Sequence, residues 1–280
     1  MELIESRSIF SPATGFIRRG GFEWTCNPYV GCTFGCSYCY AAFLPQNRRP
    51  AGEWGKWITA KKNAAELATK HGPKIAGQPV YMSSVTDPYQ PVERGLMLTR
   101  SILEAVLPHQ PRLTIQTRGP LVARDIDVLK DFRSLRVNMS IPTDSERVRQ
   151  QFEPKAPPLE KRWDAITQLK DAGIPVGVCV TPTLPIENVD TFARRIADFK
   201  PDVVVCQDFH DAGGRFGADT GATARDLLTE SRWGPADYRR FVNRLRQSVA
   251  TVFEGETGFF PPPAVESVVA ALAPTLFDRV

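Results

Sequence analysis

Short runs rich in β-branched and apolar residues recur along the chain at 22–26, 79–83, 112–117, 135–141, 175–181 and 203–207. Turn formers such as Asn27-Pro28 punctuate them, and each reads as a strand. Between the later runs the apolar positions change to helical spacing. Leu159, Trp163, Ile166 and Leu169 make one stripe, stopped by Gly173. Val189, Phe192, Ile196 and Phe199 make another, with Asn188 as N-cap and Pro201 beyond its end. Residues 57–70 also read as a helix, closed by His71-Gly72-Pro73, and 41–56 read as loop. Six strands alternating with helices imply a parallel sheet with right-handed crossovers. The expected fold is α/β, a partial (β/α)6 TIM-like barrel over 22–210.

Outside that core the pattern weakens. Residues 1–21 read as an irregular lead-in ending at Arg18-Arg19-Gly20-Gly21. Residues 211–280 form a C-terminal extension. Its first part, 211–234, is rich in Gly, Ala, Asp and Thr and reads as a long loop. Pro235 then opens a helix with Tyr238, Phe241, Leu245, Val249 and Val252 on one face. Arg239, Arg240 and Arg244 on the other face read as a solvated surface. The segment after Pro261-Pro-Pro263 is expected to pack back on the barrel.

At 280 residues, 42% hydrophobic and 24% charged, the chain is an ordinary globular one with room for a sizeable core. A net charge of +4 is compatible with a phosphate-bearing partner and proves none. The first residues lack the apolar core of a signal peptide, and no apolar run approaches membrane-spanning length. Six cysteines, three of them closely spaced, point to the reducing cytoplasm and to no membrane partner.

The chemistry is concentrated in Tyr29-Val-Gly-Cys-Thr-Phe-Gly-Cys-Ser-Tyr-Cys-Tyr40. Cys32, Cys36 and Cys39 are too close in sequence to pair comfortably as disulfides, yet they can converge on one inorganic centre. Gly31 and Gly35 let the backbone approach a bulky cluster without a Cβ clash. Three ligands is the informative number, because structural zinc and ordinary [4Fe–4S] clusters take four. A triplet leaves one metal position open to a small molecule. The competing reading recruits Cys26 as a fourth ligand and makes the chain a zinc-stabilised nucleic-acid-binding module.

The C-x3-C-x2-C spacing, with Tyr38 before the last cysteine, resembles the radical S-adenosylmethionine (SAM) signature. The match is closer still to the spore photoproduct lyase-like branch. It extends through Ser84-Val-Thr-Asp87, Thr117-Arg118, Met139-Ser140-Ile141, Phe152-Glu-Pro154, Pro158-Leu-Glu-Lys-Arg162 and Ala172-Gly-Ile-Pro-Val-Gly177. The resemblance implies a [4Fe–4S] cluster on Cys32, Cys36 and Cys39 whose open iron chelates SAM. It further implies reductive cleavage to a 5′-deoxyadenosyl radical and hydrogen abstraction from a substrate. Thr86 and Asp87 would meet the SAM amino end. Arg118 and Ser140 would meet its carboxylate, and Tyr38 would pack by the adenosyl group.

One departure limits the resemblance. The lyases return a hydrogen atom from a cysteine at the second strand exit, where this chain has Ser84. An alcohol O–H is too strong a bond for that task, so spore photoproduct repair is disfavoured. Tyr40 matches a tyrosine of the lyase relay. Cys26, Cys179 and Cys206 are either buried core thiols, hydrogen donors facing the cavity (Cys179 or Cys206), or ligands of a second cluster. The expected substrate is a nucleoside, nucleotide or nucleic acid, with an external reductant such as flavodoxin or ferredoxin. The alternative is a natural-product tailoring enzyme, such as one exchanging ring oxygen for sulfur in a thionucleoside antibiotic pathway.

Overall fold

The computed structural model describes residues 1–44, 47, 49–209 and 221–264. Six strands, Trp24–Cys26, Pro79–Met82, Arg112–Thr117, Leu135–Ser140, Val176–Val180 and Val203–Cys206, pair in parallel and in chain order. The register sets Thr25 beside Tyr81, Met82 beside Ile115, Ile115 beside Val137, Met139 beside Val178, and Cys179 beside Val205. All six sequence runs are thus strands of one sheet, each within two residues of its expected ends.

Alternation along the strands separates two cores. Val80, Met82, Leu113, Ile115, Val137, Met139, Val178 and Val204 pack with the helices Leu98–Val106, Leu159–Asp171, Val189–Asp198 and Pro235–Arg246. Each Val, Leu, Ile or Met so buried contributes about 1.5–3 kcal/mol of transfer free energy. The opposite face holds Phe22, Tyr81, Cys179, Val203 and Val205, joined by Ala13, Ile17 and Phe259 from the flanking segments. Asn188 caps its helix as expected, accepting from Thr191 N at 2.9 Å.

The flanks differ from the sequence expectation. Phe10–Pro12, in the lead-in, pairs antiparallel with the first barrel strand. Val252–Glu254 pairs parallel with the sixth, so Val252 belongs to the sheet and not to the final helix, which ends at Arg246. Within the expected 57–70 helix, Thr59–Lys61 is a strand between Glu2–Ile4 and Tyr29–Val30. The helix begins only at Ala64. In the expected loop 211–234, Ala222–Ser231 is a helix. Residues 211–220 lie outside the described residues. On the exposed face of the last helix Arg240 pairs with Asp237 at 3.1 Å and Arg244 with Asp190, as a solvated surface should.

Pro261-Pro-Pro263 itself lies on the barrel, while the apolar segment expected to follow it, from residue 265, lies outside the described residues. Arg112 Nε donates to Pro262 O at 3.0 Å, Ser134 Oγ to Pro263 O at 2.7 Å, and Arg136 to Phe260 O. All three donors sit at strand starts, so this tail crosses the amino-terminal end of the barrel. No helix among the described residues is long and apolar enough to cross a membrane.

Candidate active site

The carboxyl ends of the six strands open on one cavity of about 1480 Å³. Sites in parallel barrels form at this end because the strand-to-helix loops converge there. Cys32, Cys36, Cys39, Tyr38, Tyr40, Ser84, Thr86, Asp87, Arg118 and Ser140 all line it. The chain brings these ten together from segments up to 108 residues apart.

The cysteine loop leaves the first strand through the short strand Tyr29–Val30. Gly31 has φ +82°, and a Cβ there would lie 2.7 Å from the Trp57 ring. Gly35 has φ +62°, with a Cβ 3.0 Å from Gly55 Cα. Only glycine meets both demands cheaply. Cys32, Phe34, Cys36 and Tyr38 pack with Val148, Phe152, Leu184 and Ala224. Ala224 comes from the helix Ala222–Ser231, so the segment expected as loop covers the cysteine loop. Gln90, fully buried, ties that loop to the second strand exit. Its Oε1 accepts from Thr33 N at 2.9 Å and Thr33 Oγ1 at 3.1 Å, while its Nε2 donates to Asp87 O at 3.1 Å.

A polar network stands against the thiols. Arg118 Nη1 donates to Cys36 Sγ at 2.8 Å and to Tyr38 Oη at 2.9 Å, and it forms an ion pair with Glu153. Tyr38 donates its phenol proton to Glu153, and Arg162 pairs with the other Glu153 oxygen. Burial works against the Glu153 charge, but Arg118 and Arg162 hold its carboxyl below the usual range. Glu153 and Gln90 were not singled out from sequence. Glu153 does lie in the Phe152-Glu-Pro154 run, the one signal that could have flagged it.

Asp87 is committed to shaping the second exit. Oδ1 accepts from Tyr89 N at 2.9 Å and Thr117 Oγ1 at 2.7 Å, and Oδ2 from Arg118 N at 2.9 Å. Burial nevertheless raises its pKa, and these bonds only partly offset the rise. Thr86 donates to Gly31 O, again bracing the cysteine loop. Ser140 Oγ accepts from Gln116 Nε2 at 3.0 Å, which leaves its own proton to donate. Tyr40 donates to the backbone carbonyl of Ser84.

The remaining thiols divide by strand parity. Cys206 is fully buried among helix-side residues and does not line the cavity, nor does Cys26. Cys179 faces the barrel interior and donates to Gln116 Oε1 at 3.6 Å, a residue that does line the cavity. Burial pushes the Cys179 thiol up to about 12, so it holds its proton near neutrality. Cys206 therefore lacks the placement of a hydrogen donor to the cavity, whereas Cys179 stands one side chain behind its wall.

Whether this site suits an iron–sulfur cluster turns on its donors and its space. Burial raises the pKa of Cys32, Cys36 and Cys39, and for Cys32 the other two thiols add to the rise. Groups that repel one another's negative charge are held as thiols by this pocket and as thiolates by a cation. The glycine-formed loop, the three thiols and the adjoining open cavity supply the donor set and the space that a cluster with a free coordination position needs, although no three His, Cys, Asp or Glu side chains among the described residues are drawn together as a metal site.

Comparison with known proteins agrees. The model of the radical SAM superfamily matches residues 26–199, more than half of the chain. An uncharacterised protein of Methanocaldococcus jannaschii is 37% identical over 166 residues, 59% of this chain and 62% of that protein. An uncharacterised protein of Acidianus two-tailed virus is 31% identical over 211 residues, 68% of each. Among solved structures, a spore photoproduct lyase variant with bound AdoMet and dinucleoside spore photoproduct aligns with TM-score 0.60. It is 15% identical and covers 90% of this chain and 80% of that one. Streptococcus suis SuiB bound to S-adenosylmethionine aligns with TM-score 0.52, at 11% identity over 82% of this chain and 46% of that one. The zinc-module reading falls with these matches. The chain belongs to the radical SAM superfamily, and it is an enzyme whose cofactors are a [4Fe–4S] cluster and S-adenosylmethionine.

Proposed function

We propose that Cys32, Cys36 and Cys39 hold the cluster and that the enzyme abstracts hydrogen from a nucleoside, nucleotide or nucleic-acid substrate. The carrying observation is that the three thiols, Arg118 and Tyr38 line one cavity at the strand exits, with the buried Glu153 bonded to both Arg118 and Tyr38. When bound, the cofactors supply reductive cleavage of SAM to a 5′-deoxyadenosyl radical. Arg118 orients the SAM carboxylate with Ser140 beside it, since a guanidinium holds a carboxylate by parallel hydrogen bonds. Its Nη2 makes no hydrogen bond within the described residues and faces this task unencumbered. Asp87 keeps one lone pair for the amino end while it fixes the exit loop. Tyr38 bounds the adenosyl position, and the buried aromatic wall excludes water.

The substrate class is supported by the lyase-like motifs and by the dinucleoside seen with the fold neighbour. Tyr40, which donates to Ser84 O, is assigned the hydrogen relay by its match to the lyase tyrosine, and Ser84 is assigned the place of the lyase donor cysteine by the same resemblance. The work of returning a hydrogen atom then falls to the Cys179 thiol through a shift of Gln116, and the thiyl radical so formed is reduced by the external carrier with uptake of a proton. The reductant is an external low-potential carrier such as flavodoxin or ferredoxin. Anaerobic reconstitution, reduction with SAM and assay for 5′-deoxyadenosine test the proposal. Cys32→Ala, Cys36→Ala and Cys39→Ala together should abolish that product; persistence in the triple variant would overturn the ligand assignment.

A further inference from the structure

Beside the first strand exit, the cavity wall carries donors that the SAM contacts leave unused. The turn Cys26–Asn27–Pro28 organises them. Lys61 N donates to Pro28 O at 3.2 Å, and Ser83 N donates to Cys26 O at 2.9 Å. Lys61, Asn27 and Ser83 therefore bracket one turn from three backbone segments, and all three line the cavity.

Each has hydrogen-bonding capacity to spare. The Lys61 ammonium makes no ion pair or hydrogen bond among the described residues, whereas its neighbour Lys62 pairs with Glu5 at 3.2 Å. Asn27 Oδ1 accepts from Val85 N at 3.4 Å, which assigns the NH2 as the end left over. Ser83 is 3% exposed, its hydroxyl has no partner, and its φ of +73° is rare for a residue with a side chain. A partly buried cation, an unused amide and an orphaned hydroxyl each cost stability in the folded chain. Together at one wall they describe a receptor for oxygen acceptors bearing negative charge. Asp87, the carboxylate of the adjoining exit, spends three acceptor positions on Tyr89, Thr117 and Arg118 and forms no ion pair with Lys61 among the described residues.

We infer that Lys61, Asn27 and Ser83 form a phosphate subsite for the substrate, so that the enzyme takes a nucleotide or phosphodiester in preference to a free nucleoside. The inference deepens the proposed function and rests on its nucleic-acid-derived substrate. A tetrahedral phosphate offers separate oxygens to three donors on separate segments, and lysine serves phosphate as a compact point charge. A planar carboxylate offers only two oxygens.

The test is anaerobic titration calorimetry on the reconstituted holoenzyme with thymidine, thymidine 5′-monophosphate and thymidylyl-thymidine. The phosphate-bearing ligands should bind tighter than thymidine by about tenfold or more. Lys61→Met should erase that advantage, Lys61→Arg should keep most of it, and Asn27→Leu should reduce it. Lys62→Met should leave it intact. Inorganic phosphate should compete with the monophosphate, and succinate should not. Equal binding of thymidine and its phosphates overturns the subsite, as does an advantage that survives Lys61→Met or is lost equally in Lys62→Met. Competition by succinate as strong as by phosphate overturns the phosphate assignment. Failure of the underlying reading is distinguishable, because it appears as no 5′-deoxyadenosine from the unaltered enzyme, whichever ligand binds.

Discussion

Glu153 holds Arg118 in place. The carboxylate is fully buried, and it pairs with Arg118 through one oxygen and with Arg162 through the other. Arg118 in turn reaches Cys36 Sγ and Tyr38 Oη. Without this partner the Arg118 side chain would keep only its bonds to Cys36 Sγ and Tyr38 Oη. Glu153→Gln should cost about 3–5 kcal/mol of stability, because it removes the counter-charge of the fully buried Arg162 and of the partly buried Arg118. In the variant that still folds, the KM for SAM should rise while iron content stays near that of the unaltered protein. Chemical denaturation and anaerobic kinetics read the two effects; an unchanged KM would show that Glu153 serves the fold alone.

Gly31 should tolerate no side chain. Its φ of +82° and the 2.7 Å approach of a Cβ to the Trp57 ring impose strain and a clash at once. Gly31→Ala should lower iron and sulfide per chain after reconstitution, with the 5′-deoxyadenosine yield falling in proportion. Gly52, with open space around it, is the control: Gly52→Ala should leave iron content unchanged.

The thiols of the fifth and sixth strands should separate by function. Cys206→Ala removes a sulfur from the helix-side core and should cost about 1 kcal/mol, with SAM cleavage retained. Cys179→Ala removes the thiol bonded to Gln116. It should also leave SAM cleavage intact, yet lower the yield of substrate-derived product per 5′-deoxyadenosine. Equal yields from both variants would remove Cys179 from the reaction.

Lys61 gives a pH signature. Burial lowers its pKa from the ordinary value near 10.5. Between the lowered value and 10.5 the unfolded chain keeps the proton that the folded chain has lost. The unfolded state then binds more protons, so stability rises with pH across that window. The stability difference between Lys61→Met and the unaltered protein, read by urea denaturation, should shrink as pH rises through that window toward 10.5. Saturating phosphate should flatten the trend if Lys61 binds it.

The strands of the barrel were legible because β-branched runs such as Val203-Val-Val-Cys206 sit between clear helical stripes. Thr59–Lys61 was hidden for a physical reason. Ala60, Ala64, Leu67 and Ala68 suit helical spacing, and the strand exists only because Tyr29–Val30 and Glu2–Ile4 pair with it. Ala222–Ser231 was hidden by its polarity, since only Ala224 on it is buried. In the site, the thiol spacing was visible in twelve residues. Glu153 was not, because its meaning depends on Arg118 being 35 positions earlier and adjacent only after folding.

The tail across the amino-terminal barrel end sets an order of events during synthesis. Arg112, Ser134 and Arg136 belong to strands that leave the ribosome well before Phe260, Pro262 and Pro263, whose carbonyls they need. Vectorial emergence therefore delivers all six parallel strands while their guanidinium and hydroxyl groups are still hydrated. Docking of that later segment dries them, so the amino-terminal end of the barrel is completed only after its six parallel strands have emerged, by carbonyls that follow them in the chain.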